Sequence, residues 1–66
     1  MNADTLKGKW HKIKGDVKAQ WGKLTEDEIL HAEGDMEKLQ GSLQEKYGYT
    51  KEKAKEEVNN FFRKYN

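Results

Sequence analysis

Large apolar residues recur along this chain at helical spacing, and no stretch alternates as a strand would. Leu6, Trp10, Ile13, Val17 and Trp21 follow one another at intervals of 4, 3, 4 and 4, which gathers them on one stripe of a first helix. Gly22 suits the left-handed position just past its end, with Lys23 placed to meet the last carbonyls. Thr25-Glu26-Asp27-Glu28 then reads as a capping box opening a short second helix at Glu26, with Ile29, Leu30 and Ala32 as its apolar face before Gly34. Asp35 can cap a third helix, whose stripe is Met36, Leu39, Leu43 and Tyr47 and whose stop is Gly48. Thr50 caps a fourth, but Lys53 stands at its third position, so only a plain N-cap is expected. Ala54, Val58, Phe61, Phe62 and Tyr65 give this last helix the widest apolar face of the chain.

The pattern is written twice. Gly8, Gly15 and Gly22 are seven residues apart, as are Gly34, Gly41 and Gly48, and the two sets are offset by 26 residues. The same offset lays Trp10 on Met36, Ile13 on Leu39, Val17 on Leu43 and Trp21 on Tyr47; after one deletion Thr25 falls on Thr50. A duplicated unit of helix, glycine stop and helix is the simplest reading. Two copies are too few for a solenoid, so the expected fold is all-α: one small four-helix domain over residues 1–66, a closed pair of α-hairpins at about 4–33 and about 35–65. Its structural residues are Trp10, Ile13, Val17, Trp21, Gly22, Thr25, Leu39, Leu43, Tyr47, Gly48, Thr50, Val58 and Phe61. Phe61, Phe62 and Tyr65 are expected to close this core. Gly8, Gly15 and Gly41 fall inside helices, turned away from the apolar stripes. They either keep the helices weak and hydrophilic or form a smooth strip for a partner.

Composition narrows the classes. The 66 residues contain no Cys and no Pro, are 38% charged and only 33% hydrophobic, and have a mean hydropathy of −1.25. Neither a disulfide nor a thiolate metal site is available. The longest apolar run is two residues and no apolar segment follows Met1, so a transmembrane helix and a signal region are not expected. A cytoplasmic monomer is the expectation.

The near-neutral total of +1 hides a polarised chain. Residues 1–24 carry net +4, residues 25–48 net −5 and residues 49–66 net +2. Charge complementation within the molecule, between the basic first helix and the acidic middle, is one expected use. The other is binding of nucleic acid or an anionic lipid surface through Lys7, Lys9, Lys12, Lys14 and Lys18, although these lysines border both sides of the apolar stripe and do not gather. Tyr49 and Tyr65, near helix ends, are candidate exposed contacts for a protein partner.

Chemistry is sparse. His11 and His31 are twenty residues apart, and no HExxH, Cys pair or Gly-rich phosphate loop occurs. Asp27, His31 and Asp35, spaced by four, could share a helix face, but the break near Gly34 would misalign Asp35. No metal, cofactor or catalytic residue is assigned, and an enzyme is not expected.

Trp10-x-x-x-x-Gly15-x-Val17-Lys18-x-x-Trp21-Gly22-x-Leu24-Thr25, then Gly34, Leu39-x-Gly41-x-Leu43-Gln44-x-Lys46-Tyr47-Gly48-Tyr49, then Ala54 and Val58, closely resembles the CsbD-like family of small bacterial stress proteins. The resemblance covers almost the whole chain; Gln40 departs from it, standing where an apolar residue is usual, and so does His11. It implies two crossed α-hairpins, a general stress-response role in the cytoplasm and no established molecular activity. A hydrophilic protective or adaptor domain is the function expected on these grounds.

Overall fold

Four helices and a terminal 3-10 turn follow one another in the computed structural model, which describes residues 3–65 and their side chains from Gly8 onward: α1 (Ala3–Gln20), α2 (Glu26–His31), α3 (Met36–Tyr47), α4 (Lys51–Phe62) and the turn Arg63–Tyr65. The side chains of Leu6 and Lys7 lie outside the described residues.

The caps fall where the sequence places them. At the start of α2 the Glu28 N–H donates to Thr25 Oγ1 (3.1 Å), while Glu28 Oε1 accepts from the Thr25 N–H (2.8 Å). Both halves of the capping box are made, and three acids sit at the positive end of the helix dipole. Asp35 Oδ1 accepts from the N–H groups of Glu37 and Lys38 to open α3. Thr50 Oγ1 accepts only from Lys53 N–H to open α4, a single bond where α2 has two.

Helix ends bring two corrections. Gly48 terminates α3 at φ 69°, donating its N–H to Gln44, and Gly34 takes φ 69° ahead of Asp35. Both are conformations that a β-carbon opposes and glycine accepts. Gly22 does not take it. The end of α1 is finished instead by the Trp21 N–H on Val17, by the Leu24 N–H on Trp21, and by the Lys18 ammonium on the carbonyls of Gly22 and Leu24. The chain leaves the helix through these bonds without a left-handed reversal. The Lys18 ammonium thus ties the last turn of α1 to the loop that follows it, whereas that of Lys23, expected at the last carbonyls, lies 5.0 Å from the Tyr47 ring centre.

Among the described residues the core is wholly apolar. Trp10, Ile13, Val17, Trp21, Leu24, Ile29, Ala32, Leu39, Leu43, Ala54, Val58, Phe61 and Phe62 are buried, with Met36, Tyr47, Tyr49 and Tyr65 packed on their edge. The helices α1 and α2 form one antiparallel pair and α3 and α4 the other, and the pairs meet crosswise through rings. Trp10 stacks near Phe62 with centroids 6.3 Å apart, Trp21 lies 4.9 Å from Phe61, and Phe61 meets Phe62 edge-on. Such ring pairs add roughly 0.5–1.5 kcal/mol each beyond the area they bury. The Trp10 Nε1–H, which would otherwise be stranded, donates to the Ile29 carbonyl at 3.2 Å and ties α1 to α2. Gln40 is half-buried beside the fully buried Leu39 and Leu43.

The face expected for α2 is smaller than its sequence suggests. Ile29 and the following Ala32 turn inward, whereas Leu30 is 53% exposed. One residue is 100° of rotation, and a six-residue helix lying against α1 can direct only one of two adjacent large side chains at it.

Candidate functional site

Once its apolar stripe is buried, α1 presents two flanks and an outer edge. The outer edge holds Gly8 and Gly15, and a β-carbon on either would meet nothing within 4 Å. Gly41 on α3 is equally open. These glycines fill no close packing within the molecule.

Along the flank that meets α2, Lys14, Gly15 and Lys18 face Glu26, Ile29 and Leu30 across a groove of about 280 Å³. Its floor is apolar and its walls differ in sign. Lys18 contributes only its aliphatic stem there, because its ammonium is engaged on backbone carbonyls. The opposite flank is held to the end of the chain. The Tyr65 hydroxyl donates to Asp16 Oδ2, and burial, helped by that bond and by the Asp16 charge, pushes the phenol up to about 12. Tyr65 is half-buried against Phe61 and Phe62, so it is not the free contact that its position near a helix end suggested. Tyr49 is likewise half-buried, stacked 5.3 Å from Tyr47.

The lysines that the sequence marks as a possible binding surface are dispersed. Lys9 and Lys12 are exposed, Lys14 is half-buried at the groove and Lys18 is committed to the helix end. Lys7 lies outside the described side chains. Among the described residues the structure brings Lys14 and Lys18 to one groove and leaves Lys9 and Lys12 apart from it.

Among the described side chains of α1 the expected pairing of charges with the acidic middle does not form. Among the described residues two ion pairs occur, Lys46 with Glu28 at 3.3 Å and Lys53 with Glu57 at 2.9 Å, and neither involves α1. Lys14 and Glu26 line one groove without forming an ion pair, and the Lys18 ammonium is taken by backbone carbonyls. The Lys46–Glu28 pair instead joins α3 to α2. The Thr25 N–H, and then Lys46, hold the Glu28 carboxyl below the usual carboxylate range. Among the described residues no group of three His, Cys, Asp or Glu could hold a metal ion; Asp35 leaves the α2 face to cap α3. No helix of the described residues is long and apolar enough to cross a membrane.

The helical pattern did not mark Leu24, which is fully buried and entered the sequence reading only within the family motif. It lies in the loop after α1, where helical periodicity has nothing to say; its adjacency to the capping Thr25 hints that the chain turns back there.

Comparison with known proteins agrees with this architecture's sequence signature. The family profile described as CsbD-like matches residues 4–56. A UPF0337 protein of Bordetella pertussis is 52% identical over 62 residues, covering 94% of each chain. A UPF0337 protein of Pseudomonas aeruginosa is 49% identical over 61 residues, 92% of this chain and 94% of its own. The UPF0337 protein YjbJ of Escherichia coli K12 is 50% identical over 58 residues, 88% of this chain and 84% of its own. Their names give a family and state no activity. No solved structure matches.

Proposed function

The chain belongs to the CsbD-like family, and from that premise we propose that it is a general stress-response protein of the cytoplasm, acting without catalysis as a hydrophilic protective or adaptor domain. The observation that carries this reading is the division of the molecule into two parts. Thirteen buried side chains are all apolar, and every charged group among the described residues is left on a surface that makes few ion pairs. A chain of this size draws only about 3–5 kcal/mol from such a core. Ordering each residue costs roughly 1–2 kcal/mol, so the folded state is a small difference between large terms. Its helices can therefore loosen and re-form as water activity changes, while the charged surface keeps the chain dispersed and offers weak contacts to neighbouring proteins.

Two measurements test this. Urea denaturation is expected to give a stability below about 8 kcal/mol, the middle of the ordinary range; a value well above it removes the basis for hydration-driven loosening. A pull-down from stressed and unstressed cells separates protectant from adaptor, since a protectant shows no preferred partner.

A second reading, binding of nucleic acid or an anionic surface, is favoured by the exposure of Lys9 and Lys12 and by the absence of ion pairs from the described part of α1. Such binding must weaken steeply with salt through counterion release. No gel shift and no liposome binding at low salt and micromolar protein would end it.

A further inference from the structure

We propose that two copies of this chain pair weakly through the groove between α1 and α2, Leu30 of each entering the groove of the other. Three observations converge on it. Leu30 is the one large apolar side chain standing exposed among the described residues, at 53%, and it stands at the edge of a groove lined also by Ile29 and by Gly15. Gly15 has no side chain to fill that space, and a β-carbon there would touch nothing within 4 Å.

The second observation is charge. Lys14 rises on the α1 wall and Glu26 on the α2 wall, and among the described residues neither is in an ion pair. A second copy related by a twofold axis through the groove sets Lys14 of one chain against Glu26 of the other, and the reverse. The arrangement is self-complementary, and it also lays the basic first helix of each copy along the acidic second helix of the other. A foreign partner would have to reproduce both an apolar insert and an alternating pair of charges; a second copy carries them already.

The third comes from the duplication. With Thr25 on Thr50, Leu30 corresponds to Lys55, which is exposed on α4. The equivalent place in the other hairpin carries a charge, so the hairpin itself does not require leucine there.

Six residues line the groove, far fewer than the 20–30 a side of a stable interface. The dissociation constant should therefore be on the order of 1 mM. Pairing would matter in a crowded or dehydrated cell, which rests on the proposed stress role; the contact itself does not.

The test is a dilution series of the full chain labelled with ¹⁵N, from about 2 mM downward, at low and at high salt. Concentration-dependent shifts are expected at Gly15, Glu26 and Leu30, fading with salt. Leu30→Lys should weaken pairing about tenfold, the loss expected for one half-buried leucine at each of two contacts. Lys14→Glu and Glu26→Lys should each weaken it, and the double exchange should restore it. All three positions are at the surface or its edge, and helicity by circular dichroism checks that each variant folds. Shifts that do not depend on concentration, shifts centred on another face, or a double exchange that fails to restore pairing would each overturn the proposal. None of these outcomes bears on the pull-down or the urea measurement.

Discussion

The two hairpins begin from one pattern and end differently. In the first, α2 is six residues long, opens with a complete capping box and stops after burying Ile29. In the second, α4 is twelve residues long, opens with a single N-cap bond and buries Ala54, Val58, Phe61 and Phe62. Its last turn reaches across to Trp10 and Trp21 of the first hairpin. The short helix is fixed mainly by its own end, the long one by what it covers. A duplicated sequence can thus assign local stability to one copy and closure of the core to the other.

That contrast can be broken most severely at Phe61. Phe61→Ala should cost about 3–5 kcal/mol, which is comparable to the whole stability expected of a domain this small. Far-ultraviolet circular dichroism should show the variant largely unfolded, whereas Leu30→Ala on the short helix should stay within about 0.5 kcal/mol of the parent. Gly48→Ala, at φ 69°, should destabilise by about 1–2 kcal/mol in urea. Gly15→Ala, in a helix with open space around the new methyl, should stabilise by up to about 1 kcal/mol. Thr25→Ala should cost about 1 kcal/mol and exceed Thr50→Ala, because only at Thr25 does a second bond return from the helix.

A separate expected effect is alkaline. The Tyr65 phenol is raised in the folded state from its ordinary 10 to about 12, so the unfolded chain releases its proton first as pH rises. The stabilisation is complete below pH 10 and disappears as pH climbs through about 12. Tyrosinate absorbance should show one tyrosine titrating late, and Tyr65→Phe should remove that phase.

Most of this architecture was legible because it is local. Helix stripes at Trp10, Ile13, Val17, Leu39, Leu43 and Val58, caps at Thr25, Asp35 and Thr50, and the stop at Gly48 each depend on residues within a few positions of one another. What escaped depends on where distant segments meet. Nothing near Leu30 in sequence says that Ile29 will take the inward position, because α1 decides it. The Tyr65–Asp16 bond spans 49 residues and the Trp10–Ile29 bond 19. The groove escaped for the same reason: Lys14 and Lys18 were marked as cations, but Glu26 and Leu30 come opposite them only when the loop holding the buried Leu24 folds back. Lys23 was misassigned because sequence proximity to the helix end favoured it over Lys18, whose side chain reaches that end from within the last turn.

Acrylamide quenching of the two indoles, in a dilute sample confirmed as monomeric by sedimentation, tests the aromatic seam most directly. Trp10 and Trp21 are each 2% exposed, so both should be shielded, with quenching far below that of free tryptophan and rising to it on addition of urea. Indoles quenched as readily as the free amino acid before any denaturant is added would contradict a core closed by rings from both hairpins.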